Sequence, residues 1–177
     1  MNLRKLSTVL CAIALAGPLT AGTSAATAQV AVPNVVEATS RYSEAWDSGD
    51  VGRIAALHTA DSTFRLVIDG GVSVQGLAGI KDAFAKILAD NPAYRSKVRT
   101  IKFGSDFAAI EYDILMAPPQ PFILGSTRYV PNGTPYALPA IDVIHFRNGL
   151  VSDKVTYLDS AVVSSNSRSS ERLVIAR

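Results

Sequence analysis

Arg41-Tyr42-Ser43-Glu44-Ala45-Trp46-Asp47-Ser48-Gly49-Asp50 is the stretch on which the fold turns. Tyr42, Ala45 and Trp46, together with Val35 and Ala38 upstream, recur at helical spacing and give one apolar face. Asn34 with Glu37 forms a capping box at the start of this helix, and Ser48-Gly49 stops it. Asp50 then caps a second, short helix almost without a linker, with Ile54, Leu57 and His58 on a shared face before Asp61.

Beyond these helices the period changes from helical to alternating. Phe64, Leu66 and Ile68 share one face of a strand whose other face carries Arg65, and Asp69-Gly70-Gly71 is a hairpin turn into Val72 to Val74. Leu77, Ile80, Phe84, Ile87 and Leu88 build a third helix that Asn91-Pro92 ends. Strands are expected over Tyr94 to Phe103, Phe107 to Met116 and Ala137 to Arg147, and Asn148-Gly149 turns into a last one over Val151 to Val162. Helices first and a meander afterwards argue for an α+β domain with an antiparallel sheet wrapped over three helices. The proline-rich segment Ala117 to Pro135 reads as a longer hairpin or flap, and residues 163–177 as a mobile tail.

At the other end, Arg4 and Lys5, an apolar run from Leu6 to Leu19 and the small residues Ala26-Thr27-Ala28 form a signal-peptide pattern. The run is shorter than the roughly 20 apolar residues a membrane anchor needs. The expectation is therefore export to the periplasm or outside, with cleavage after Ala28 and a folded domain over residues 33–162. Cleavage leaves 149 of the 177 residues, removes the lone Cys11 and lowers the formal charge from +2 to 0. Disulfides and thiol chemistry are then excluded, and a neutral chain has no electrostatic footprint for nucleic acid.

Read together, Arg41 to Asp50, Ala60-Asp61-Ser62-Thr63, and Asn132-Gly133-Thr134-Pro135-Tyr136-Ala137-Leu138 running into Ile141-Asp142-Val143-Ile144-His145-Phe146 resemble the bacterial ketosteroid isomerases and their SnoaL-like relatives, in the nuclear transport factor 2-like superfamily. The resemblance spans roughly residues 35–160. It implies a cone-shaped fold, a deep pocket and a homodimer formed through the sheet. In the isomerases a tyrosine on the first helix and a protonated aspartic acid on a late strand hold the dienolate oxygen. Tyr42 and Asp142 match those positions, whereas the general-base aspartate falls at Leu66. A leucine cannot supply the two to four orders of magnitude that a base typically contributes, so steroid isomerisation itself is not expected.

What the resemblance leaves is a cofactor-independent isomerase, cyclase, dehydratase or epoxide opener that polarises an oxygen of a hydrophobic small molecule, or a non-catalytic module that binds such a molecule or serves dimerisation. The candidate catalytic residues are Tyr42, Asp142 and, as a substitute base, His58. Asp142 stands between apolar neighbours, where burial would keep it protonated and able to donate. Trp46, Phe64, Leu66, Phe84, Ile144 and Leu158 are the candidate substrate-binding wall. Lys154 and Thr156 share strand parity with Leu158 on the pocket side, with Lys154 near the rim. His145 has the opposite parity, and Glu111 with Asp113 reads as a solvated face. Two histidines without a carboxylate at ligand spacing argue against a metal site.

Overall fold

The computed structural model describes residues 34–173, so the leader-like segment and its expected cleavage point lie outside the described residues. Three helices come first: α1 (Val35–Asp47), α2 (Val51–Ala55) and, after the strands β1 (His58–Val67) and β2 (Ser73–Gln75), α3 (Gly76–Asp90). Asn34 and Asp50 cap α1 and α2 through their side-chain oxygens, as their positions predict. The strands β3 (Ser96–Phe103), β4 (Phe107–Met116), β7 (Tyr136–Arg147) and β8 (Leu150–Leu158) complete a six-stranded sheet in the order β2-β1-β8-β7-β4-β3. All neighbours in it are antiparallel except β1 and β8, which run parallel.

The sheet's inner face carries the alternate residues expected for a half-buried strand. Ile110, Ile114, Leu138, Ala140 and Ile144 are buried under the helices, against Tyr42, Trp46, Ile54, Ile80 and Phe84. Glu111 and Asp113 face outward and pair with Arg99. On the same outer face Ile141 and Tyr157 are paired across β7 and β8, and each is about half exposed.

Two expectations are corrected. His58 does not end α2: it opens β1, because Val151 of β8 donates to the Leu57 carbonyl at 2.8 Å and draws the chain into the sheet. The segment after Val162 is not a mobile tail as far as Arg172. It forms α4 (Ser160–Ser165), capped by Asp159, and β9 (Ser167–Arg172). β9 has a partner in the proline-rich segment, which folds as the hairpin β5 (Phe122–Leu124) and β6 (Thr127–Pro131), so a second sheet runs β5-β6-β9. This small sheet is tied to the β1–β2 turn: Ser126 N–H donates to the Asp69 carbonyl at 2.8 Å, and Arg172 pairs with the Asp69 carboxylate at 2.6 Å.

Candidate functional site

Two cross-strand rows on the inner face set the site. In one, Leu66, Thr156, Asp142 and Ile110 stand side by side across β1, β8, β7 and β4; in the next, Phe64, Lys154, Ile144 and Ala108 do. Lys154 is therefore diagonal to Asp142, close enough to pair. Its Nζ donates to Asp142 Oδ2 at 2.6 Å, and Thr156 Oγ1 donates to Oδ1 at 2.6 Å. Lys154, Asp142 and Thr156 are all buried.

This geometry corrects the role expected of Asp142. Both of its oxygens accept hydrogen bonds, one from an ammonium, so it is an ion-paired carboxylate rather than a neutral acid free to donate. Lys154 also lies over the Trp46 ring, 4.7 Å from its centroid, and 5.4 Å from that of Tyr42. An ammonium so placed is held by charge on one side and by aromatic faces on the other.

Tyr42 is not joined to Asp142 by a hydrogen bond. Its hydroxyl meets His58 Nε2 at 2.9 Å, and His58 Nδ1 meets Ser62 Oγ at 2.9 Å. Burial pushes the Tyr42 phenol well above its ordinary range; the Trp46 N–H opposes this, and the charge of Asp142 adds to it. Burial also lowers His58 to about 3, with the positive charge of Lys154 acting in the same direction. His58 is thus neutral at ordinary pH, a bonding partner for Tyr42 rather than a base waiting for a proton. Tyr94 and Tyr112, buried on the same side, are held high by burial first and by Asp142 second.

Two chambers share Lys154. The apolar one, of about 140 Å³, lies between Trp46, Phe64, Leu66, Leu138 and Leu158, with Asn91, Lys154 and Thr156 as its buried polar groups. A single water needs about 10–15 Å³, so there is room for a small organic molecule. The β5–β6 hairpin contributes Phe122, Ile123 and Leu124 to its wall. The other chamber, of about 30 Å³, lies on the side of Tyr42, Tyr94, Tyr112 and Asp142. A third hollow, of about 380 Å³, shares no lining residue with either.

Of the residues singled out from sequence, Trp46, Phe64, Leu66 and Leu158 line the apolar chamber. Tyr42, Asp142 and Ile144 line the small one. Phe84 lines neither: it is fully buried between Trp46, His58 and Phe64, at ring distances of 4.8 to 5.5 Å. His58 lies behind both chambers rather than in them. The residue whose importance the sequence reading missed is Lys154, expected near the rim and found at the depth of the cavity; its alternation with Thr156 and Leu158 was the available signal. Trp46, which touches both chambers, has a buried indole N–H that acts on the Tyr42 phenol without meeting any acceptor in a full hydrogen bond. Among the described residues, no three of His, Cys, Asp and Glu stand together as a metal site would require.

No curated protein matches the chain in sequence. Solved structures do match in fold. A protein named as a candidate SnoaL-like polyketide cyclase from Jannaschia sp. CCS1 superposes with a TM-score of 0.63 at 17% identity, over 80% of this chain and 99% of the other. A hypothetical protein with a ketosteroid isomerase-like fold from Catenulispora acidiphila DSM 44928, in complex with trimethylamine, gives 0.62 at 18% identity, over 74% and 92%. The epoxide hydrolase/cyclase-like enzyme SalBIII, whose role is in pyran ring formation in the polyether salinomycin, gives 0.57 at 19%, over 71% and 91%. At these identities the likeness is one of fold. The family model for the SnoaL-like domain matches residues 39–154, from the middle of α1 through the lysine of the ion pair, and the chain belongs to that family.

Proposed function

We propose that the protein takes a hydrophobic small molecule into its apolar chamber and polarises one oxygen of it, a carbonyl or an epoxide, against the Lys154 ammonium. The observation that carries this reading is the Lys154–Asp142 pair itself: a buried cation fixed at 2.6 Å from its counter-ion in the wall of a mostly apolar cavity. A preorganised charge in a water-poor site stabilises a developing oxyanion far better than one in solvent. Asp142 and Thr156 then position the lysine, and Tyr42 and His58 brace α1 against β1.

The polyketide cyclase and epoxide hydrolase/cyclase likenesses support a reaction at oxygen of the cyclisation or epoxide-opening kind, and isomerisation or dehydration would draw on the same polarised oxygen. A second reading, a carrier that binds without turnover, is favoured by one feature: both oxygens of the carboxylate beside the chamber are engaged, leaving it no idle base. A ligand that co-purifies unchanged would select the carrier. The leader-like residues 1–28 support export, and the exposed Ile141–Tyr157 pair on the outer sheet face supports a homodimer through that face. Mass spectrometry of the host protein and sedimentation test these two.

The site is tested by titrating 2-naphthol, which offers an apolar ring and an anionic oxygen, against the fluorescence of Trp46, the chain's only tryptophan. Saturable quenching is expected. A charge-assisted hydrogen bond is worth about 1.5–3 kcal/mol, so replacing the pair by Lys154→Met/Asp142→Leu should weaken binding about ten- to hundredfold. Binding unchanged in that variant would contradict the reading.

A further inference from the structure

We propose that Lys154 is also a nucleophile, condensing with hydrophobic aldehydes or unhindered ketones held in the apolar chamber to form a protonated imine. The inference rests on the reading above, which brings a carbonyl oxygen to the lysine, and goes beyond it in making the contact covalent. Withdrawal from water favours the neutral, nucleophilic amine of a lysine, and a carboxylate in contact, though it stabilises the ammonium, offers an acceptor for the proton that must leave. Lys154 meets both conditions, being 4% exposed with Asp142 at 2.6 Å. Lys86 also borders this chamber, but it is exposed to water and paired with Asp90 at 2.6 Å.

The step balances without any further reagent. One proton of the ammonium passes to Asp142 Oδ2, and the freed Nζ lone pair attacks the carbonyl carbon while the C=O π pair moves to oxygen. A proton then moves from nitrogen to that oxygen, the Asp142 proton follows it, and the oxygen leaves as water as C=N forms. The net change is ammonium plus carbonyl to iminium plus water. Charge is conserved at the site, so the surroundings that hold the ammonium hold the iminium equally. Asp142 remains the counter-ion, Thr156 keeps its bond to Oδ1, and the Trp46 ring at 4.7 Å still faces a cation. No uncompensated charge is buried at any stage, which is the usual obstacle to chemistry at such depth.

The small chamber supplies what a condensation needs besides the carbonyl. It shares Lys154, Trp46 and Tyr94 with the apolar chamber but is lined besides by Tyr42, Tyr112 and Asp142, and its roughly 30 Å³ has room for about two waters. Water released at Nζ, or required for hydrolysis of the imine, therefore has a place beside the reacting carbon while the apolar chamber is filled. Val98 and Ser96, on β3 at its mouth, are at least partly exposed.

The test is reductive trapping of the full-length protein with 2-naphthaldehyde and cyanoborohydride, read by intact mass and by peptide mapping. The expected result is one adduct per chain on Lys154, at an aldehyde concentration that leaves the exposed Lys81, Lys97 and Lys102 unlabelled. Excess 2-naphthol should suppress it, and Lys154→Arg should abolish it, as should Lys154→Met/Asp142→Leu if the arginine variant does not fold. Labelling spread over surface lysines, or an unlabelled Lys154 in a protein whose Trp46 is still quenched by 2-naphthol, would overturn the covalent step and leave the binding site standing. Absence of both labelling and quenching would overturn the two together.

Discussion

The Lys154 ammonium and the Asp142 carboxylate meet at 2.6 Å with side chains only 5% and 7% exposed. A buried pair of this kind contributes modest net stability, but removing one partner leaves the other charged and uncompensated.

The first expected consequence is an asymmetry between single and double replacement. Lys154→Met should lower the unfolding free energy by about 3–5 kcal/mol, and Lys154→Met/Asp142→Leu should recover most of that loss. Urea denaturation of the parent and the two variants measures it. Equal losses in both would mean that Lys154 and Asp142 do not act as a pair.

Tyr42→Phe separates a positioning tyrosine from a ligand donor. Losing the hydroxyl leaves His58 Nε2 without its 2.9 Å partner in a buried place, a cost of about 1–3 kcal/mol. Binding of 2-naphthol in the apolar chamber should change less than about threefold, since Tyr42 lines the other one. A tenfold loss of affinity in a folded Tyr42→Phe protein would restore the tyrosine as an oxygen donor.

His58 sets a pH dependence whose sign is fixed by its depressed folded-state pKa. Above about 6.5 the imidazole is neutral both folded and unfolded and contributes nothing; below it the unfolded chain takes up a proton that the folded one refuses until about pH 3. Stability from this group therefore falls as the pH drops through that window, by up to about 1.4 kcal/mol per unit. His58→Gln, which keeps a hydrogen-bonding group beside Tyr42, should flatten the decline between pH 6 and 4 in chemical denaturation. An identical slope in parent and variant would show that His58 is not held neutral.

The flap over the apolar chamber depends on Gly125. Its φ is +60°, and a Cβ there would collide with the Asp69 carbonyl oxygen, so a side chain is excluded by both conformation and space. Gly125→Ala should detach the β5–β6 hairpin from the β1–β2 turn. The expected signs are faster release of 2-naphthol in stopped flow and faster amide exchange confined to Phe122–Pro131. Unchanged release would mean that this hairpin does not gate the chamber.

The helices, their caps and the strand alternation were legible because each depends on local spacing: Asn34, Asp50 and the Tyr42–Trp46 face act within a turn or two of chain. The end of α2 was not legible. Ile54, Leu57 and His58 continue a helical pattern, and only pairing with Val151, far along the chain, makes His58 the start of β1. β9 was hidden for the same reason, since a serine-rich segment becomes a strand only beside β6.

The Lys154–Asp142 contact depended on a register that no local pattern declares. Arg147 faces Leu150 and Phe146 faces Val151 across the Asn148-Gly149 turn, where both residues have positive φ, as a two-residue hairpin loop requires. Carried on unchanged, that register would set Asp142 opposite Val155 and Lys154 opposite Val143, putting the two charges on different faces. A bulge between Phe146 and His145 moves β8 by one residue, so Asp142 faces Thr156 and Lys154 joins it on the inner face. The sequence places Lys154 on the pocket side, but at the rim, so the aspartate's expected role as a neutral donor took no account of a lysine at its Oδ2.

The most direct measurement of the central claim is a crystal structure of the protein with 2-naphthol bound. The naphthol oxygen is expected within hydrogen-bond distance of Lys154 Nζ, about 2.7–3.1 Å, with the ring system between Trp46, Leu66 and Leu158. An oxygen held by the Tyr42 hydroxyl instead, with Lys154 still turned to Asp142 and out of reach of the ligand, would contradict it.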